Sequence, residues 1–140
     1  MVENLILGCV TMAICLTIQC VVVSVSLWGL VRVHKRGIVK VTLLSTSALL
    51  VASMLILLMG NLLQMAVWAV LFVLCGEFAD YGTAFYHSVV NFSTLGYGDL
   101  VMSEKRRLLG ALEAANGVLM FGMTTGYLYA ILNEQIKRAW

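Results

Sequence analysis

The sequence predicts an all-α membrane protein with three spanning helices, plus one short helix that enters the bilayer without crossing it and leads into a glycine-bearing loop. Three observations point there. The 140-residue chain is 61% hydrophobic and only 11% charged, against roughly 45–50% and about 25% in ordinary soluble domains. It contains no proline, which suits long uninterrupted helices. Between its last two apolar stretches lies a segment too short to span, ending in "TLGYGDL", Thr94 to Leu100.

The first apolar stretch runs from Leu5 to about Val31 without a charge, which clears the ~20 residues needed to cross a hydrocarbon core. Trp28 near its end has the character of an interfacial anchor. Thr11, Thr17, Ser24 and Ser26 predict packing of this helix against a neighbour, with the helix giving lipid-facing support at the periphery. A basic linker, "RVHKRGIVK" from Arg32 to Lys40, follows, with a glycine to end the helix. The opening "MVEN" is acidic and the apolar run behind it is long, so no cleavable signal peptide is expected.

The second stretch, Val41 to Cys75, exceeds one perpendicular span. One long helix is expected, tilted or extending beyond the bilayer, because neither a turn cluster nor a charge interrupts it; a break at Gly60-Asn61 is the alternative. Asn61 and Gln64 share a face and suit hydrogen bonds between helices. Asp80 or Thr83 can cap the short helix that follows. The last span covers about Leu108 to Leu132, with "KRA" beyond it. Arg32, Lys35, Arg36, Lys40, Lys137 and Arg138 outnumber Lys105, Arg106 and Arg107, which places the N-terminus outside and the C-terminus in the cytoplasm.

Several function classes drop out. A net charge of +2 without a long basic run gives no footing for nucleic acid. No nucleophile–base pair, metal cluster or phosphate loop argues for an enzyme or a cofactor. No helix carries arginine at every third position, so a voltage sensor is not expected, nor is a ligand-binding domain after Asn133. Cys9, Cys15, Cys20 and Cys75 have no paired spacing and read as small hydrophobes.

In "TLGYGDL" each glycine would cost about 1 kcal/mol against alanine in a helix interior. The segment therefore serves the backbone. Glycine reaches positive-φ conformations, and alternating it with ordinary residues lets consecutive carbonyls turn the same way. A dehydrated monovalent cation needs such neutral oxygen ligands. One chain supplies one ribbon of them, so several copies must meet around an axis. Irregular backbone at membrane depth is tolerated only where it is buried in protein or lines an aqueous path.

"TLGYGD" resembles the signature of tetrameric potassium channels, and the resemblance extends over roughly Val41 to Ile136. It implies a two-span pore unit with a re-entrant pore helix and selectivity-filter loop, assembled as a homotetramer around a central pore. The first span is additional to this unit and makes three transmembrane helices in all. Residues 1–40 become an N-terminal transmembrane helix with its basic cytoplasmic linker. Residues 41–140 become the pore domain, with outer helix 41–76, pore helix 81–93, filter 94–99 and inner helix 107–136. By this resemblance carbonyls of Thr94, Leu95, Gly96 and Tyr97 replace the hydration shell of K+, Gly98 completes the outer mouth and Asp99 anchors the ribbon. The implied partners are K+, the lipid bilayer and further copies of the chain.

"GALEAANGVLMFGMTTG" resembles the inner helix of the same channels, with Gly117 where a gating hinge often lies and Gly122 beyond it. Gly122 and Gly126 also form a GxxxG pattern, for which close packing is the alternative reading. The chain departs from the family at Leu95, where valine or isoleucine is commoner, and in lacking pore-helix tryptophans. Tyr86 and His87 occupy that region, either placed to bond Asp99 of the same or a neighbouring subunit. His87 is a structural residue or an external pH sensor. Glu113, the one acid within a span, must face protein or water and is expected behind the filter, bonded to pore-helix backbone or Asn91, with filter gating as a sharper role. Glu77, Asp80 and Asp99 lie toward the outer mouth, where they can enrich cations. Phe121, Met123, Tyr127 and Ile131 are candidates to narrow a lower vestibule, with ordinary packing as their default. The expected function is passive, potassium-selective conduction in a plasma membrane, with short cytoplasmic parts favouring a bacterial inner membrane. The alternatives are a non-selective cation channel on the same fold, a potassium-transporter subunit, or a non-conducting accessory subunit.

Overall fold

The computed structural model describes residues 1–35 and 42–139. Of the expected linker Arg32 to Lys40, residues 32–35 instead continue α1 as helix, and residues 36–40 lie outside the described residues. So do Val41, the expected first residue of the outer helix, and the Arg138 side chain. Four helices follow in order: α1 (Val2–Lys35), α2 (Leu43–Leu74), α3 (Tyr81–Phe92) and α4 (Arg107–Ala139). Of these, α1, α2 and α4 are long and apolar enough to cross a membrane, and no strand occurs among the described residues. Each long helix has 32 to 34 residues, or about 50 Å at 1.5 Å per residue.

α1 starts before Leu5 because its first turn has partners. The Glu3 carboxylate pairs with Arg106 at 3.0 Å and complements the positive helix N-terminus. Asn4 accepts from Arg106 Nη1 at 2.6 Å and donates to the Lys105 carbonyl at 2.5 Å. α2 is a single unbroken helix. Thr42 caps it reciprocally with Ser45, and it ends where Cys75 caps and Gly76 turns with φ +72°. Gly60 does not break it, because the glycine serves the approach of α1: a Cβ there would stand 3.1 Å from Val22.

The pairings fix the register. Asn4 meets Arg106, Gln19 Nε2 donates to Thr124 Oγ1 at 3.4 Å and Tyr127 donates to Ser26 Oγ at 2.6 Å. The offset along the chain is nearly constant, so α1 and α4 run parallel. Gln64 Nε2 donates to Gln19 Oε1 at 2.7 Å, the interhelical bond its position predicted, while Asn61 Oδ1 finds no partner among the described residues. The buried side of α1 is Asn4, Gly8, Thr11, Cys15, Gln19 and Ser26, a seam of small and polar residues of the kind that joins helices in lipid. Thr17 and Ser24 are not on it. Both are exposed, and Thr17 bonds back to the Ala13 carbonyl of its own helix.

α3 is wedged between α2 and α4 at one end of the bundle. Asp80 is the residue that caps it, accepting from the Thr83 amide at 2.9 Å and hydroxyl at 2.5 Å. Those two donors hold the Asp80 carboxyl below the usual carboxylate range. The main core joins all four helices through Cys15, Trp68, Phe72, Phe92, Leu109 and Met120.

Candidate functional site

α3 ends at Phe92 with Ser93 as its C-cap, and the chain then turns sharply. Thr94 N donates to Asn91 O at 2.9 Å and Leu95 N to Val90 O at 3.0 Å. Positive φ recurs at every second residue: Thr94 at +60°, Gly96 at +60° and Gly98 at +77°. For β-branched Thr94 this is a sterically disfavoured conformation, which the hydrogen bonds around it must hold. A Cβ added at Gly96 or Gly98 would meet nothing within 4 Å. Backbone conformation, not space, is what requires glycine there. The loop side chains stand out from the chain, Leu95 at 55% and Tyr97 at 67% exposure.

Behind the loop, Tyr86 donates to Asp99 Oδ2 at 2.7 Å, and Asp99 Oδ1 accepts from the Leu100 amide at 3.0 Å. The Tyr86 hydroxyl in particular holds the Asp99 carboxyl below its ordinary range, and the same bond to Asp99 raises the Tyr86 phenol above its own. Further on, the Ser103 amide and hydroxyl donate to the Glu77 carboxylate at 2.8 and 2.7 Å. All three acids expected near the outer mouth are therefore engaged structurally, Asp80 as a cap, Glu77 as a clamp on the returning chain and Asp99 as the loop's anchor.

His87 is buried, its ring centroid 4.9 Å from that of Phe78 and 5.5 Å from that of Phe72. Within the chain it is Tyr86, not His87, that bonds Asp99. Burial pushes the imidazole below its usual range, opposed by the Leu100 backbone and by the Asp99 and Glu77 charges. Its Nε2 has no partner among the described residues, and the ring borders a cavity of about 390 Å³ that Asn91, Gly96, Gly98 and Arg107 also line.

Glu113 is fully buried. Its carboxyl meets the Ser88 hydroxyl and accepts from Asn91 Nδ2 at 2.8 Å. Asn91 also donates to the Gly110 carbonyl at 2.7 Å, and Ser88 reaches the Met65 carbonyl at 2.8 Å. The expected partner Asn91 is present, whereas the other contact is a side chain, Ser88, and not pore-helix backbone. Beside this cluster Trp68 and Asn116 face the Cys15 thiol, a weak partner, and their side-chain polar atoms have no conventional hydrogen bond among the described residues. Four helices thus meet in one buried polar node; the sequence points to Glu113 and Asn91 in it and reads Cys15 only as a small hydrophobe.

Gly117 lies against the Phe92 carbonyl so closely that a Cβ would collide with it, whereas Gly122 and Gly126 face open space. Tyr127 and Ile131 pack with Leu57 inside the bundle and so do not line a vestibule. Phe121 sets its edge against Phe92.

A family model described as ion channel matches residues 49–134, well over half of the chain. The chain belongs to this ion-channel family. No curated protein and no solved structure matches it. The matched residues of the channel take in most of α2, all of α3, the loop and most of α4, and leave α1 outside. With its three long apolar helices, the channel is a multi-pass membrane protein, and its function is ion transport.

Proposed function

We propose that the chain is one subunit of a homotetrameric, potassium-selective channel, with residues 94–99 as its selectivity filter. The observation that carries this reading is the alternation of positive φ at Thr94, Gly96 and Gly98. Alternating left-handed and ordinary conformations lets successive carbonyls face one side, and a row of them replaces the hydration shell of K+. The carbonyls of Thr94, Leu95, Gly96 and Tyr97 are the K+ ligands, with Gly98 at the outer mouth. α3 directs its C-terminus at Thr94, and the partial negative charge there, roughly half an elementary charge, favours a cation.

The exposure of Leu95 and Tyr97 in the single chain supports assembly, since these side chains gain cover from neighbouring copies. Tyr86, Asp99, His87 and Glu113 support the filter from behind. Gly117 and Gly122 are the candidate hinge positions. α2 is the outer helix, α4 the inner helix and α3 a re-entrant pore helix. The N-terminus lies outside and the C-terminus in the cytoplasm of a plasma membrane, a bacterial inner membrane by preference. K+ is cargo and no further cofactor is involved.

The test is the reversal potential of purified protein in planar bilayers, with potassium on one side and sodium on the other. A value near the potassium equilibrium potential, with the current abolished by Gly96→Ala, is expected. A reversal near zero would overturn potassium selectivity and direct attention to Leu95.

A further inference from the structure

At the end of the bundle away from α3, α1 and α4 part to leave a cleft of about 350 Å³. Its walls are Leu27, Leu30 and Val31 of α1 with Ala130 and Ile131 of α4. The cleft shares Val31 and Lys35 with a second hollow of about 300 Å³, where Trp28 and Arg32 join the lining. The Arg32 guanidinium lies 4.0 Å over the Trp28 ring. The feature is therefore an apolar slot with two cations at its open end.

Both helices cross the bilayer, so lipid is the medium around this slot. Water needs two to four polar partners to stay in a cavity, and the aliphatic walls supply none. An acyl chain fits them. The slot also sits at the depth of a headgroup boundary, since Trp28 is placed as an interfacial anchor and Lys35 lies about 10 Å further along α1 at 1.5 Å per residue. The cation–π contact pre-sets the Arg32 fork, whose N–H groups match phosphate oxygens in pairs. Lys35 adds a point charge beside it. The one acid lining the slot is Glu134 on the α4 wall, a single negative charge against the two cations Arg32 and Lys35.

We propose that this slot binds one anionic phospholipid, with an acyl chain between α1 and α4 and the headgroup phosphate held by Arg32 and Lys35. The inference needs only a membrane-spanning bundle and is independent of ion selectivity. The α1 wall of the slot lies outside the residues matched to the channel family, and the α4 wall, Ala130 and Ile131, lies within them.

The full chain is reconstituted in phosphatidylcholine vesicles containing a minor fraction of brominated phosphatidylglycerol or of brominated phosphatidylcholine. Quenching of Trp28 is read as the difference between the wild type and Trp28→Phe. The expected result is preferential association of the anionic lipid, by about fivefold for each cation that faces it, lost in the Arg32→Gln/Lys35→Gln double variant. Ala130→Phe fills the slot and keeps both cations, so it too is expected to lose the preference, and it decides the matter if the double variant does not reconstitute. Equal quenching by the two lipids in the wild type overturns the proposal. So does a preference that survives Ala130→Phe, because the cations would then act as an ordinary charged surface.

Discussion

Gly117 of α4 rests on the main-chain carbonyl of Phe92, the last residue of α3, with no room for a Cβ between them. The contact sits one residue before the cap from which the 94–99 loop departs. Gly117 therefore has a packing duty whether or not α4 also bends there. Gly117→Ala is expected to push α4 off α3 and to destabilise the protein by roughly 1–3 kcal/mol, as overpacking does. Gly122→Ala, whose Cβ would meet open space in the chain, is the comparison. Thermal unfolding in detergent should show a clear loss for the first and little change for the second. Equal stabilities would return Gly117 to a purely conformational role.

Glu113 joins α4 to α3 through Ser88 and Asn91. Glu113→Leu removes the acceptor. Ser88 keeps the Met65 carbonyl and Asn91 the Gly110 carbonyl, but the second Asn91 N–H is left unsatisfied in the core, at about 1–3 kcal/mol. Glu113→Gln keeps an oxygen for Asn91 and a polar group for Ser88, so its loss should be much smaller. The readout is the unfolding midpoint of each variant in one detergent, followed by single-channel open probability for those that fold. A Gln variant as damaged as the Leu variant would mean that the hydrogen-bonded tie is not what Glu113 supplies.

The readability of this molecule from its sequence follows from which forces act locally. Span number and helix type were legible because length and apolarity decide them, and the demand of "TLGYGDL" on the backbone was legible because glycine spacing encodes φ. Asp80 as a cap was one of two options, and only the Thr83 contacts separate them. Glu113 was legible as buried, since a carboxylate within a span has few places to go. Its partner Ser88 was not, because that pairing depends on the rotation of α3 against α4. The α1 seam was present in the sequence as a helical face, Asn4, Gly8, Thr11, Cys15, Gln19 and Ser26, at steps of three and four with one longer gap. Of the four hydroxyl residues that the sequence singles out on α1, Thr11 and Ser26 lie on this seam and Thr17 and Ser24 do not. Gly117 was legible as a special glycine, but its reason is a contact with Phe92 that no local pattern carries.

The burial of His87 predicts a pH dependence with a definite sign. Burial against Phe72 and Phe78 lowers its titration below the ordinary 6.5, while the Leu100 backbone, Asp99 and Glu77 oppose this. The unfolded chain thus takes up the proton first as pH falls. The stability His87 contributes is complete above about pH 6.5, the unfolded value, and is lost as pH drops through the lower folded value. Between pH 7 and pH 5 the unfolding temperature of the wild type should fall more than that of His87→Gln, and the current–pH curve of the variant should be flatter. Parallel curves for the two proteins would remove His87 from the pH response.

α1 holds α4 on both sides of Gly117, by Asn4 and Glu3 at Arg106 and by Gln19 and Ser26 at Thr124 and Tyr127. Any bend of α4 at Gly117 must move Tyr127 relative to α1 and break its 2.6 Å bond to Ser26. Hydrogen bonds between membrane helices contribute about 0.6 kcal/mol on average, a modest amount in one chain. Tyr127→Phe removes the hydroxyl and keeps the ring packed on Leu57 and Ile131. It is expected to leave the reversal potential unchanged and to shift open probability by about threefold per subunit freed, the equivalent of that energy. Ser26→Ala should reproduce the shift, and the double variant should add nothing to it, because both changes delete one bond. A shift that doubles in the double variant would show that the two residues act separately and that the bond is not the restraint.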